Sequence, residues 1–412
     1  MSGVDIERKR LLADLADLAD VGSTGDGGNC RLALTDADAG GRELVVGWMR
    51  ELGLDVRIDR IGNVVGTRAG ADPTLAPVMT GSHLDTVRTG GRYDGTLGVL
   101  AGLEVVRALD DAGVRTRRRL AVAFFTDEEG SRFAPDMLGS LTYVGGLALE
   151  EALATVGIDG AVLGHELERI GWAGEAPVPG PVPHAFVELH IEQGPVLEEA
   201  GKVIGAVTGV QGISWQELTL SGQANHAGTT PMRLRRDPAY VGAEVTAFVR
   251  RLATELGGHQ VGTVGRVDLH PNLVNVVAAR ATMTIDLRNT DDAVLGEAER
   301  RLTAHVAAVA GSEGVEHSWR RLARFVPVVF DPAVVERVEA AAAARGHPSM
   351  RLPSGAGHDA QMLARVCPTG MVFVPSRGGV SHNPGEYTDP DHLAAGTQVL
   401  LDVLVDLAEE AP

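Results

Sequence analysis

The 412-residue chain is poor in cysteine, in aromatic residues and in positive charge, and each shortage excludes something. Cys30 and Cys367 are the only cysteines, too few for a disulfide framework or for a metal site built on several thiolates. A reducing, cytoplasmic setting is expected. Lys and Arg number 37 against 55 Asp and Glu, a formal charge of −18. Such a surface repels phosphate backbones and anionic lipid, so neither nucleic acid nor a membrane surface is expected as a partner. No stretch approaches the roughly 20 apolar residues that span a bilayer; runs such as Val306 to Ala310 are broken by polar neighbours. The opening MSGVDIERKRLLADLADLAD interleaves charge with apolar positions, as an amphipathic helix does and an export signal does not. Trp48, Trp172, Trp215 and Trp319 show no spacing that suggests a stacking platform.

What is present is ample material for a core: 44% of residues are hydrophobic and 22% charged, the balance of a globular protein, which excludes disorder, collagen and coiled coil. The length suggests two or three domains, or one large core carrying an insertion. Val56 to Thr67 alternates as a hairpin around Gly62-Asn63, and Ala76 to Thr80 is a short apolar strand running into GSHLDTV. Leu97 to Leu109 reads as an apolar helix, and Leu120 to Thr126 as a buried strand that delivers Asp127-Glu128-Glu129. After the Pro-rich connector Pro177 to Pro183 comes a strand, Ala185 to Ile191. This βαβ pattern places polar groups at the C-terminal ends of strands, where open α/β sheets keep their chemistry. Beyond Gly209 the texture changes to alternating strands with helices at Pro238 to Leu256 and Asp291 to Ala310 and a strand at Ala279 to Arg288; the βα texture returns after Phe325, with a helix running to Val366 and a last one from Asp389 to Glu409. The expectation is an α/β catalytic domain made of residues 1–210 and 326–412, interrupted by an inserted α+β domain at 211–325.

Five strand-end or loop segments carry groups a metal needs: His83, Asp94, Glu129, His190 and His382. Imidazole and carboxylate without thiolate suit Zn, Mn, Co or Ni. In His83-Leu84-Asp85, residues two apart on an extended segment face the same way, so the Asp85 carboxylate is expected to accept the second imidazole N–H. Asp94, in GGRYDGTLGV, reads either as a ligand or as a helix cap. Glu128 and Glu129 at the end of an apolar strand repel each other unless one binds a cation and the other shares a proton with water. A binuclear site with a bridging carboxylate and a separate general base uses this inventory. The runs Arg117 to Arg119 and Arg233, Arg235 and Arg236 read as a solvated edge and a solvent face or dimer contact.

The motifs GSHLDTV, GRYDGTLGV, FFTDEEGSRF, HIEQGPVLE, NHAGTTPM and VSHNPGEY, in order from residue 81 to 387, resemble those of the amidase, hydantoinase/carbamoylase family. That family contains N-carbamoyl-L-amino acid hydrolases, allantoate amidohydrolases and β-ureidopropionases. The resemblance implies a di-zinc-peptidase-like catalytic domain, with a mixed central sheet flanked by helices, and an insert that acts as lid and dimerisation domain. It implies two divalent metal ions per subunit (Zn, or Mn, Co or Ni), one held by His83, Asp94 and His190, the other by Asp94, Glu129 and His382, with Asp94 bridging and Glu128 as general base. It also implies a non-proline cis peptide at Asp94-Gly95. His190 and Gln193 in HIEQGP set this branch apart from aminoacylases and dipeptidases.

By the same resemblance His226, Asn275, Arg288 and His358, with Gln193, contact substrate, and Asp85 and His226 assist catalysis. Arg288 has the chemistry to clamp a carboxylate, but pairing with Asp286 or Asp291 would also satisfy it; Asn275 also reads as a turn residue, and His358 as a cap. The implied reaction is hydrolysis of the carbamoyl or ureido C–N bond of a small carboxylate such as an N-carbamoyl-L-amino acid, by a homodimer in which His226 serves its own or the partner subunit. Allantoate, N-carbamoyl-β-alanine, and N-acyl amino acids or dipeptides remain alternatives.

Overall fold

The computed structural model describes residues 3–411. Met1 and Ser2, which open the expected N-terminal helix, lie outside the described residues; that helix runs over Arg8–Asp20. Contacts divide the chain into two compact units, Met1–Gly209 with Val329–Pro412, and Val210–Val328. No helix among the described residues is long and apolar enough to cross a membrane.

The strands are, in chain order, β1 (Asp55–Ile58), β2 (Val64–Arg68), β3 (Val78–His83), β4 (Leu120–Phe125), β5 (Ala185–Ile191), β6 (Ile204–Val210), β7 (Gly212–Ser221), β8 (Asn225–His226), β9 (Val261–His270), β10 (Val276–Val277), β11 (Arg280–Asn289), β12 (Glu316–Phe325), β13 (Val328–Val329), β14 (Ser349–Ser354) and β15 (Thr369–Val374). In the first unit a mixed sheet has the order β1-β2-β4-β3-β5-β15-β6-β13, with β14 beside β6. Every residue of β3, β4, β5 and β15 is buried, because strands covered on both faces lose the polar alternation of a half-exposed sheet. These four are mutually parallel, so their C-terminal ends share one edge of the sheet.

The apolar helix Thr96–Asp111 lies against that sheet. A Cβ on Gly98 would come within 2.6 Å of the Leu189 carbonyl, so glycine there sets how closely helix and β5 approach. The helix Pro390–Ala408, buried along most of its length, starts with Asp389 accepting the Asp391 N–H and proline in its first turn. Two local features differ from the expectation. SMRLPS forms β14 at the sheet margin, where its proline is tolerated, and the helix expected to reach Val366 ends at Leu363.

In the second unit the antiparallel sheet β12-β7-β11-β9 is covered by the helices Pro238–Leu256 and Asp292–Glu313. After its exposed first residue, Arg280, strand β11 alternates between buried and half-buried positions, the period-two pattern of a sheet with one covered face. Leu218, Leu220, Val245, Met283, Leu302 and Val306 form its core. The short ladder β8–β10 pairs His226 with Val276.

Candidate metal centre and active site

The parallel register delivers the first ligands. His83 ends β3 opposite Phe125 of β4, and His190 lies next to last in β5, opposite Phe373 of β15. Asp94 precedes the helix Thr96–Asp111, and Glu128-Glu129 follow β4 after Asp127, whose φ is +57°. His382, at φ +52° and half exposed, comes from the loop after β15.

These groups converge. One Asp94 oxygen, Oδ1, lies 3.7 Å from His83 Nε2 and 3.1 Å from His190 Nε2. The other, Oδ2, lies 3.4 Å from His382 Nε2, which is 3.3 Å from Glu129 Oε2. His83, Asp94 and His190 thus form one group, and Asp94, Glu129 and His382 a second, with ligand atoms in each within 4.8 Å of one another. Asp94 belongs to both, one oxygen turned to each. Glu128 Oε2 lies 3.4 Å from His83 Nε2.

The tautomers are set for ligation. His83 Nδ1 donates to the Asp85 carbonyl at 2.9 Å and His190 Nδ1 to the Ile191 carbonyl at 2.8 Å; a carbonyl only accepts, so in the neutral form of each ring it is Nε2 that presents the lone pair to a cation. The electrostatics agree. Burial raises Glu128 well above the usual carboxylate range, and Asp359 and Glu129 add to the effect. Burial, then Asp94 and Asp85, raises Glu129 in the same way. Burial alone would also raise Asp94, but hydrogen bonds from His190 and His382 hold it well below. Burial pushes His83 down to about 4, whereas His190, despite burial, is raised to about 9 by Asp94. A buried set of carboxylates and imidazoles that must take up protons when alone is one that divalent cations relieve.

Three expectations are corrected. The Asp85 carboxylate does not take the His83 N–H. It accepts the backbone N–H of Glu128 and of Glu129, each at 3.3 Å, while the residue's carbonyl holds the imidazole, because the chain turns after β3 ends. Among the described residues the cis peptide bonds all precede proline, at Ala134-Pro135, Val178-Pro179 and His270-Pro271, so Asp94-Gly95 is trans. The crowding is absorbed by Gly95, at φ +67°, where a Cβ would come within 2.3 Å of the His83 ring. His358 stands at the N-cap position of the helix Asp359–Leu363, but its side chain makes no capping bond: it is 1% exposed, its Nε2 lies 2.8 Å from Ser354 Oγ, and its ring stands edge-on against His190.

Gln193 donates to Asp94 Oδ2 at 2.8 Å and leaves its own Oε1 without a partner. In the second unit, His226 and Asn275 are neighbours, both exposed, with Ala227 N–H bonded to the Asn275 carbonyl at 2.9 Å. His226 Nδ1 accepts the N–H of Gly228 and Thr229, so its exposed Nε2 carries the proton and is a donor. Arg288 pairs with Asp286 through Nε at 3.1 Å and Nη2 at 2.9 Å and lies over the Trp215 ring.

Sequence reasoning missed two buried supports. Glu386, raised to about 7 by burial and Asp94, accepts the N–H of Tyr93 and Asp94 at 3.0 and 3.2 Å, fixing the loop that presents Asp94. Glu188 accepts Ser82 Oγ–H at 2.6 Å and Ala360 N–H at 2.8 Å, tying β3 and the His358 segment to the strand of His190. The carboxylate at a buried strand position was the available signal for Glu188; Glu386 sits inside VSHNPGEY with no local mark.

The pattern of peptidase family M20/M25/M40 matches residues 79–406, a span that contains every one of these ligands. The chain belongs to peptidase family M20/M25/M40. Among its relatives, the N-carbamoyl-L-amino-acid amidohydrolase of Rhizobium meliloti is 44% identical over 383 residues, covering 93% of this chain and 92% of the relative. The N-carbamoyl-L-amino acid amidohydrolase of Geobacillus stearothermophilus is 40% identical over 409 residues, 98% of this chain and 99% of the relative. The solved structure of an amidase of the hydantoinase/carbamoylase family from Burkholderia multivorans superposes with a TM-score of 0.96 at 46% identity, covering 99% of each chain. The resemblance seen in the motifs is thereby borne out, as is the α/β fold with its central mixed sheet. Enzymes of family M20/M25/M40 depend on metal, and the paired ligand groups sharing Asp94 suit that dependence.

Proposed function

We propose that this chain is a binuclear metal-dependent amidohydrolase that cleaves the carbamoyl C–N bond of an N-carbamoyl-L-amino acid, releasing the amino acid, ammonia and carbon dioxide. The observation that carries the reading is Asp94, with one oxygen turned to His83 and His190 and the other to His382, beside a buried carboxyl at Glu128. His83, Asp94 and His190 would hold one ion; Asp94, Glu129 and His382 would hold the other. Two divalent cations supply Lewis-acid charge and lower the pKa of water.

Glu128 takes the proton of the attacking water and returns it to the leaving nitrogen. Its burial among carboxylates lifts its proton affinity toward the working pH, as this double role requires. Asp85 positions the Glu128 backbone. His226, with its proton on Nε2, donates to the developing oxyanion, and Arg288 meets the substrate carboxylate with Asn275 alongside. The acting form is a homodimer. Relatives named for N-carbamoyl-L-amino acids, at 44% and 40% identity, support the substrate class.

The test is a panel scored for ammonia or amine release on metal-reconstituted protein: N-carbamoyl-L-amino acids, allantoate, N-carbamoyl-β-alanine, an N-acetyl amino acid and a dipeptide. Highest kcat/KM on the first class is expected, and preference for the acetyl compound or dipeptide would overturn the reading. Glu128→Gln should keep its metal and lose about 10²–10⁴-fold in kcat; retained turnover would remove Glu128 as the base.

A further inference from the structure

The two ligand groups are held in different ways. His83 and His190 stand at the ends of buried strands and are each 1% exposed, so the sheet itself places them. His382 lies outside any strand or helix, in the loop after β15, at φ +52° and with half of its side chain exposed. A ligand on such a loop needs a tether, because ordering a free loop costs conformational entropy.

Glu386, four residues further along and 4% exposed, supplies one. A tight turn joins the two residues: the Glu386 N–H donates to the Asn383 carbonyl at 2.9 Å and the Gly385 N–H to Asn383 Oδ1 at 2.8 Å. The Glu386 side chain then reaches into the loop that carries Asp94, where its Oε1 accepts the Tyr93 and Asp94 N–H groups. Gly91 makes room for it, since a Cβ there would overlap the Glu386 carboxyl.

Ser381, on the other side of His382, closes the link. Its Oγ lies 3.1 Å from Asp94 Oδ2 and 3.1 Å from Glu386 Oε2, and a hydroxyl has one proton to give. Asp94 Oδ2 is the oxygen turned to His382, and it also accepts an N–H of the Gln193 amide at 2.8 Å. A carboxylate oxygen has two lone pairs, and Gln193 and Ser381 fill both, so a cation on Oδ2 displaces one donor. Ser381 is the donor with a second carboxylate at the same distance. Glu386 therefore receives the hydroxyl that a cation displaces from Asp94, and the turn at Asn383 keeps His382 beside it.

We propose that Glu386, acting through Ser381 and this turn, is a positioning residue for the ion of Asp94, Glu129 and His382: it binds the His382 loop to the Asp94 loop and sets how firmly that ion is kept. The ion of His83, Asp94 and His190 depends on it much less, because both histidines are placed by strands and Asp94 Oδ1 faces His190 Nε2 at 3.1 Å. This role rests on the binuclear reading above and deepens it.

The experiment is equilibrium dialysis of the full chain against buffered zinc, with bound metal counted by elemental analysis. The unmodified chain should take up two ions, and His382→Ala should identify by its loss the ion that the loop holds. In Glu386→Ala the affinity for that ion should fall about 10–100-fold, with the other ion nearly unaffected. Gly91→Ala leaves the carboxyl in the chain but displaces it, and should weaken the same ion. Glu386→Gln keeps an oxygen for the Tyr93 and Asp94 N–H groups while presenting an NH2 to Ser381, and should retain more of the affinity than Glu386→Ala. Equal weakening of both ions would reduce Glu386 to a support of the fold, and unchanged affinities in Glu386→Ala and Gly91→Ala would overturn the positioning role. Gly91→Ala keeps the comparison decisive if Glu386→Ala does not fold. Fewer than two ions on the unmodified chain would defeat the binuclear reading and this role with it, whereas two ions there and in every variant, equally tight, would defeat this role alone.

Discussion

Asp85→Asn separates two ways in which an aspartate two residues beyond a metal-ligating histidine can work. If the carboxylate fixed the His83 tautomer, the amide would invert that hydrogen bond and one metal would be lost. In the structure the imidazole is held by the backbone carbonyl of residue 85, which asparagine retains. The carboxylate instead accepts two backbone N–H groups, those of Glu128 and Glu129, at 3.3 Å each. Asparagine offers one oxygen and so keeps one of these bonds and turns its NH2 against the other N–H. A hydrogen bond to a charged acceptor contributes about 1.5–3 kcal/mol, and bonds this long lie at the low end. Part of the loss is offset, because the carboxyl, raised to about 7 by burial and by Asp38, is costly to ionise where it stands. The net change in global stability is expected to be about 1 kcal/mol or less. Misplacement of the Glu128 backbone should nonetheless lower kcat about 10–100-fold. The measurements are kcat and KM, metal content by elemental analysis and the melting temperature of the same preparation. Full metal content with a reduced kcat is expected. Loss of one metal equivalent would show that the carboxylate holds His83 after all, and an unchanged kcat would refute the positioning role.

Gly95→Ala places a Cβ within 2.3 Å of the His83 ring at a backbone φ of +67°; the ring must move by roughly 1 Å, and metal affinity should fall at least about tenfold, so a variant with full metal load and turnover would count against the packing described. Arg288→Leu should raise KM for carboxylate substrates about 10–100-fold with little effect on a neutral amide, and equal effects on both would leave Arg288 to its pairing with Asp286. Stability of the metal-free protein should fall between pH 6.5 and 9, because His190, despite burial, is raised by Asp94 from 6.5 to about 9 and stabilises only while protonated. Asp85 and Glu386, both raised to about 7 chiefly by burial, add to the loss as the pH approaches 7, while His83, lowered to about 4 by burial, opposes it only below 6.5. A drop on the order of 5 °C is expected in chelated protein, and Zn or Mn should abolish it; a flat profile without metal would contradict the assignment.

Much of the centre was legible in the sequence because its groups stand where local periodicity ends. An apolar run such as Leu120 to Phe125 is a strand buried on both faces, and whatever polar residues follow it leave the sheet at its C-terminal edge. That reasoning marks His83, Glu128, Glu129 and His190 without a partner in view, and the absence of thiolates chooses imidazole and carboxylate chemistry. What it could not supply is the partner of each side chain. Asp85 reaches the Glu128 segment 43 residues away rather than its neighbour two residues back. Glu386 fixes the Asp94 loop across 292 residues, and Asn63 holds Thr126 across 63. The sequence by itself determined which elements form, which of their faces are buried and which chemistry stands at their ends, since these follow from spacing along one segment. Only the tertiary structure decided that Asp94 turns one oxygen to each ligand group, that Asp85 uses its carbonyl on His83, and that Glu386 accepts the N–H groups of Tyr93 and Asp94. Pairings of that kind depend on how separate segments pack, and packing direction is not encoded in the period of any one of them.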